Sequence, residues 1–444
     1  MITPIISTFK KSIFLRNSFL LFSGSMLANV FNYIFHFAIG RMVSPQVYGE
    51  MEAIISLLAI ITVPGSALAI IATQYASRAK ARNDVEAGDF LFSFLNKKIF
   101  QYGFPAFCIA LLLTSFVAQF LKIEHELAII FLWMIMFLSF FSSIAIGILS
   151  GWQRFFWVGL INVVGAFSKL LFALLFVGIG FAVDGLIGSF LLASLIGYIL
   201  SLSILKQIRK EGVRKKKKRN VIGIGNTITF SAKKYAFSVF FASLAIAILG
   251  NIDMVLAKYH LTPEEAGAYS ALFIVSKIIF FVAGIVTSVM FAMSSEEHEK
   301  SSLSGKNESK TFKKALILIL FFCVGSTIFF FLFPSFTLSI FFGKTYLHVS
   351  QYLGWFGFIV SLYTVSNFFL QYFLSIKEMT FVWWILGVSL LEIPILFFWG
   401  EDFVTLIILV LIMQMVALFI GLFFFLKKHY DEDIFTKKRK TGHI

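Results

Sequence analysis

Charge is what this sequence has least of: Asp, Glu, Lys and Arg make up 14% of its 444 residues. Soluble domains carry about a quarter, so an ordinary globular protein is excluded. Cysteine appears twice, as Cys108 and Cys323, each inside an apolar run. That spacing suits neither a disulfide framework nor a metal site, and both read as packed thiols. The chain also lacks a nucleotide-binding motif and any cluster of metal-ligand residues, which argues against an ATP-driven pump and against any metal or cofactor.

Apolar residues, 59% of the chain, fill the space that charge leaves. About 20 mainly apolar residues are needed for a helix to cross a bilayer core of roughly 30 Å. Twelve such spans occur, approximately 18–40, 51–73, 99–121, 127–149, 155–178, 183–205, 235–257, 268–293, 315–336, 352–374, 380–399 and 404–426. Lipid leaves backbone groups no water, so the spans must be helices or a closed barrel. Unbroken runs such as "LLFALLFVGIGF" lack the alternation of a barrel strand. The expected fold class is an all-α integral membrane protein with twelve transmembrane helices. The first run is longer than a signal-peptide core and has no clear cleavage site after it, so residues 1–17 read as a basic interfacial lead-in.

The net charge of +15 invites a nucleic-acid reading, which its distribution removes. With the N-terminus inside, all but six of the 38 Lys and Arg fall in cytoplasmic segments. Arg41, Lys122, Lys258 and Lys344 fall in outer loops, and Lys169 and Lys277 lie within spans. Such asymmetry orients the chain with both termini in the cytoplasm of a multi-pass cell-membrane protein. The run "KQIRKEGVRKKKKRN", residues 206–220, reads as a retention signal between spans 6 and 7; a grip on anionic membrane lipids or on a cytoplasmic partner is the alternative.

A polar interruption, "GRMVSPQVYGEMEA" at 40–53, has a second copy in "AKYHLTPEEAGAYSA" at 257–271. The shift of 218 places Pro45 on Pro263, Gly49 on Gly267 and Ala53 on Ala271. Proline and glycine suit a short turn through their fixed and permissive φ angles. "NKKIF" at 96–100 and "FKKAL" at 312–316 match at nearly the same shift. The expected organisation is an N-terminal lobe 18–205, a basic linker 206–229, a C-terminal lobe 230–426 and a cytoplasmic tail 427–444. Six spans per half is even, so the repeats are parallel, related by an axis along the membrane normal.

The Arg, then Pro-x-x-Tyr-Gly pattern after span 1 resembles the polysaccharide-transporter branch of the multidrug/oligosaccharidyl-lipid/polysaccharide exporter superfamily. "NIDMVLAKYHLTPEEAGAYSA" after span 7 and "GILSGWQRF" at 147–155 are similar to the same family, with Met254 where an arginine is frequent. The resemblance covers essentially the whole chain in helix number and order. It implies a V-shaped bundle around a central cavity that moves undecaprenyl-pyrophosphate-linked sugars across the inner membrane.

Polar residues within the spans fall on single helical faces. Ser25, Asn29, Asn32 and His36 share one face of span 1, within about 60° of one another. Span 5 offers Asn162, Gly165 and Lys169; span 8 offers Ser270, Lys277, Gly284 and Ser288; span 10 offers Thr364, Asn367 and Gln371; span 2 offers Glu52 and Ser56. Neutral stripes also glue membrane helices together. Charges at this depth cost several kcal/mol unless they face a cavity or a partner. Candidate substrate-binding residues are therefore Lys277, Lys169, Arg41, Asn29, Asn32 and Asn162. Candidate coupling or gating residues are Glu392, Asp253, His36, Glu52 and Pro64, the last expected to kink span 2, with Pro394 doing the same in span 11. Lys169 and Glu392, on the fifth span of each half, are candidates for an ion pair, and Arg41 for a headgroup anchor.

The expected function is a flippase for polyprenyl-pyrophosphate-linked oligosaccharide, with that lipid, membrane lipids and other polysaccharide-assembly proteins as partners and no nucleic acid. Lysines suit the pyrophosphate and amides suit sugar hydroxyls. A multidrug antiporter or a lipid II flippase of the same superfamily is the alternative. A membrane glycosyltransferase or polymerase would need a larger extramembrane loop than the ten to fifteen or so residues found here.

Overall fold

Backbone groups that cannot reach water must bond within their own segment, and every regular element among the described residues is a helix. The computed structural model describes residues 13–81, 85–213, 230–304, 309–376 and 378–440. The expected lead-in 1–17, linker 206–229 and tail 427–444 thus lie partly outside the described residues.

The chain forms two units, residues 1–240 and 241–444. The first contains α1 (Ile13–Met42), α2 (Pro45–Ile61), α3 (Val63–Ala81), α4 (Val85–Leu112), α5 (Thr114–Phe120), α6 (Glu126–Gly151), α7 (Phe155–Gly178) and α8 (Val183–Val213). The boundary falls inside α9 (Phe230–Leu249). The second unit continues with α10 (Ile252–His260), α11 (Pro263–Ser304), α12 (Ser309–Leu332), α13 (Pro334–Phe342), a 3-10 turn (Leu347–Tyr352), α14 (Leu353–Ser375), α15 (Thr380–Trp399) and α16 (Phe403–Lys440).

Among the described residues, nine helices are long and apolar enough to cross a membrane, or eleven if each of two bent pairs is one span. The count of twelve is not confirmed on this measure, which covers the described residues alone. Span 2 is bent by 42° between α2 and α3. Pro64 stands there as the second residue of α3, where a missing N–H costs little. Span 3 bends by 54° between α4 and α5 with no proline at the break. Pro394 lies inside α15, which continues through it as one helix.

Each polar turn of the repeat begins a helix with the same chemistry. Ser44 caps α2, its Oγ accepting from the Val47 N–H at 3.3 Å, with Pro45 as the first helical residue. Thr262, at the shift of 218, does so for α11: the Glu265 N–H donates to its Oγ1 at 3.4 Å, and Glu265 Oε2 accepts from the Thr262 N–H at 3.1 Å. That reciprocal pair is a capping box.

Close helix contact in the first unit depends on small residues. In the seam between α3 and α6, Thr73 Oγ1 donates to the Gly147 carbonyl at 3.0 Å and Ser77 Oγ to the Gly151 carbonyl at 3.2 Å. A Cβ on Gly147 would stand 2.5 Å from the Ala69 carbonyl oxygen. This is the small-residue packing of helices that lack a hydrophobic drive to associate in lipid. The second unit is built around α14, which is buried almost throughout and carries α11, α12 and α16 on its sides. Large apolar side chains such as Leu112, Phe321 and Phe419 point outward from the units, as a lipid solvent requires.

Candidate functional site

In the first unit, α1 and α7 meet backbone to backbone: a Cβ on Gly24 would lie 2.7 Å from Gly159 Cα. Such an approach brings Lys169, in the middle of α7 and roughly 21 Å along its axis, within reach of α1. Lys169 Nζ donates to Asn32 Oδ1 at 2.5 Å. It also lies 4.5 and 4.6 Å from the ring centroids of Phe35 and Phe190, as cation–π contacts do. Nearer the end of α1, His36 Nδ1 lies 2.7 Å from Glu52 Oε1 and 3.4 Å from the Tyr48 hydroxyl, both on α2. Glu52 is 1% exposed.

A matching group sits in the second unit at a break in its first helix. Between α9 and α10 the Asn251 N–H turns to the Ile248 carbonyl, so the Ala247 carbonyl loses its regular donor. The Asn251 side chain replaces it, Nδ2 donating to Ala247 O at 2.8 Å. Gln414 Nε2 donates to Leu249 O at 2.8 Å, and the Tyr363 hydroxyl adds a second donor, at 3.1 Å, to Ile246 O, which keeps its Gly250 N–H. A broken membrane helix persists where side chains satisfy the freed carbonyls. Asn251 Oδ1 in turn accepts from Lys277 Nζ at 2.9 Å, and Lys277 lies 3.7 Å from the Phe273 ring centroid. Beside it the Tyr269 hydroxyl donates to Asp253 Oδ2 at 2.9 Å.

Both units therefore hold a lysine, an asparagine of the unit's first span, a phenylalanine face, a tyrosine and a buried acid. The lysines come from different helices, α7 in one unit and α11 in the other. The second unit holds two buried acids on helices that touch, Asp253 on α10 and Glu392 on α15. Glu392 is fully buried, and neither of its carboxyl oxygens has a hydrogen-bond partner among the described residues.

Residues expected to bind substrate and residues expected to couple or gate are thus interleaved. Asn32 and Lys169 share one group with His36 and Glu52, while Lys277 neighbours Asp253 and Glu392. Of the two residues expected to pair with each other, Lys169 bonds to Asn32 inside its own unit, while Glu392 has no hydrogen-bond partner among the described residues. Asn29 and Asn162 are half-buried on α1 and α7, the two helices that pack together. Arg41 is exposed at the end of α1, and Pro64 is exposed at the α2–α3 bend. Lys258, expected in an outer loop, is 2% exposed in the last turn of α10. Sequence reasoning missed Asn251, Gln414, Phe35, Phe190, Tyr48 and Tyr269. A signal for Asn251 was present in the Gly-Asn pair that interrupts its apolar run.

A family model described as "Polysaccharide biosynthesis protein" matches residues 14–298. The chain belongs to that family. Its fold is shared with solved transporters at low identity. An inward-facing multidrug resistance transporter of the MATE family, in the MOP superfamily, is 15% identical with a TM-score of 0.70, covering 94% of this chain and 99% of its own. The lipid II flippase MurJ, in an inward closed conformation, is 16% identical with a TM-score of 0.65, covering 91% of this chain and 87% of its own. No curated protein matches at a significant level. Fold and composition make this member of the polysaccharide biosynthesis family a multi-pass, all-helical membrane protein.

Proposed function

We propose that this chain is a flippase carrying polyprenyl-pyrophosphate-linked oligosaccharide across the cytoplasmic membrane by alternating access. The observation that carries this reading is the lysine–asparagine pair inside each unit of a polysaccharide-family membrane protein, Lys169 with Asn32 and Lys277 with Asn251. A lysine held in the membrane interior attracts anions more strongly than one in water. A pyrophosphate oxygen replaces the asparagine oxygen as acceptor and adds a charge to the bond. The amides of Asn29 and Asn162 suit sugar hydroxyls, and exposed Arg41 suits the approaching headgroup. Asp253 and Glu392, with His36 and Glu52, are the ionisable groups on which the cycle is coupled, and the α2–α3 bend at Pro64 is where span 2 flexes. Membrane lipids and other polysaccharide-assembly proteins are its partners, and no cofactor takes part. Both termini and the 206–220 run lie in the cytoplasm, so a cysteine at position 216 stays unlabelled by an impermeant reagent added to intact cells.

The buried acids Asp253 and Glu392 favour a second reading, an antiporter for cationic drugs. Surface-glycan complementation separates the two. Lys277→Ala loses surface glycan while still inserting in the membrane, and Lys277→Arg keeps part of it. Full glycan in Lys277→Ala, or drug efflux without glycan export, would overturn the flippase reading. Recovery on removing Asp253 together with Lys277 would reduce the lysine to a structural partner.

A further inference from the structure

The repeat contains its own control for the His36–Glu52 contact. At the shift of 218 that joins Pro45 to Pro263, His36 and Glu52 fall on Met254 and Ser270. These two also touch, Ser270 Oγ lying 3.3 Å from Met254 Sδ. The same helix junction is therefore built once from an ionisable pair at 2.7 Å and once from an uncharged one. The second unit buries its acid one residue away, as Asp253 bonded to Tyr269, so packing does not call for a carboxylate at the position of Glu52 itself. Burying a carboxylate costs several kcal/mol when it lacks a compensating partner.

Glu52 touches His36, and one helical turn back on the same face of α1 Asn32 holds the Nζ of Lys169. We propose that Glu52 is a built-in competitor for the anion at Lys169, and that His36 is the residue that draws it aside. This rests on the reading of Lys169 as an anion-binding group. With Glu52 turned to His36, as here, Lys169 is left to Asn32, a neutral acceptor that a phosphate oxygen displaces. With Glu52 turned to Lys169, the site carries its own counter-charge and the anion leaves. A competitor engaged in one state and withdrawn in the other lets the same lysine hold the anion and let it go.

The test is calorimetric titration of the full-length protein in nanodiscs with farnesyl pyrophosphate, using farnesol to measure the contribution of the lipid chain. Removing the competitor in Glu52→Gln should tighten pyrophosphate binding by about tenfold, the scale of one charge interaction in this setting, while glycan export falls. Removing the alternative partner in His36→Asn should weaken binding, and the double variant should regain the affinity of Glu52→Gln. A variant copying the other unit, His36→Met with Glu52→Ser, keeps a junction this chain already packs and should also bind more tightly than wild type. Lys169→Ala should abolish the pyrophosphate-dependent part. If Lys169→Ala binds as wild type does, the anion site and this proposal fall together. If it loses binding while Glu52→Gln and the copied pair bind no more tightly, the competitor role alone is wrong. Damage to the fold cannot imitate the expected result, since it does not tighten binding.

Discussion

Replacing Gly24 tests how the first unit holds its lysine. A Cβ at that position would stand 2.7 Å from Gly159 Cα and 3.1 Å from its carbonyl carbon, both backbone atoms that cannot rotate away. Carbon atoms rest about 3.5–4.0 Å apart, so α1 and α7 must separate by about 1 Å. Overpacking of this kind costs about 1–3 kcal/mol. The same displacement stretches the Lys169–Asn32 bond from 2.5 Å to the edge of hydrogen bonding. A bond to a charged group contributes about 1.5–3 kcal/mol, so the combined loss is about 2.5–6 kcal/mol. Gly24→Ala should lie at the low end and Gly24→Val at the high end. Gly165 is the control on α7, because a Cβ there meets nothing within 4 Å. Gly165→Ala should be neutral, or gain the 0.5–1 kcal/mol of helix propensity. Thermal unfolding in detergent gives the stabilities, and surface-glycan complementation gives the activities. A Gly24→Val protein with the wild-type midpoint and full complementation, or a Gly165→Ala protein as damaged as Gly24→Ala, would refute the close-crossing argument.

Three further outcomes follow from single contacts. Asn251→Ala deprives the Ala247 carbonyl and Lys277 of a partner at once, and should destabilise by about 2 kcal/mol; an unchanged unfolding midpoint would contradict the role of this side chain in the α9–α10 break. Glu392→Leu replaces a fully buried carboxyl lacking hydrogen-bond partners, so it should raise the unfolding midpoint while abolishing export; a lower midpoint would show that the carboxyl is satisfied after all. Asp402 caps α16, accepting from the Val404 and Thr405 N–H groups at 3.0 Å, and the Thr405 hydroxyl, then these amides, hold its carboxyl below the usual carboxylate value of 3.8. Its stabilising effect is present above that ordinary value and lost as pH falls through the lowered one, so the midpoint difference between wild type and Asp402→Asn should shrink with acidification below about pH 4 and stay constant from pH 6 to 8.

What the sequence determined by itself was whatever depends on local composition. Apolar runs locate the membrane helices because lipid allows no other unclosed backbone. Pro45, Pro263 and Pro64 mark helix starts and a bend because a ring nitrogen has no proton to donate. The Ser44 and Thr262 caps follow from hydroxyls placed just before those starts. Lysines in apolar runs announced themselves as groups that needed partners. The identity of each partner belonged to the tertiary structure alone. Lys169 lies 137 residues from Asn32 along the chain, and the packing of α1 on α7, close at Gly24 and Gly159, brings the two together. Lys277 reaches Asn251 because a helix break turns that amide, and the break persists because Gln414, 165 residues from Leu249, satisfies its carbonyl. The burial of Lys258 and Glu52 was hidden for the same reason. Periodicity tells which residues share a face, but which helix covers that face depends on packing between segments far apart in the chain.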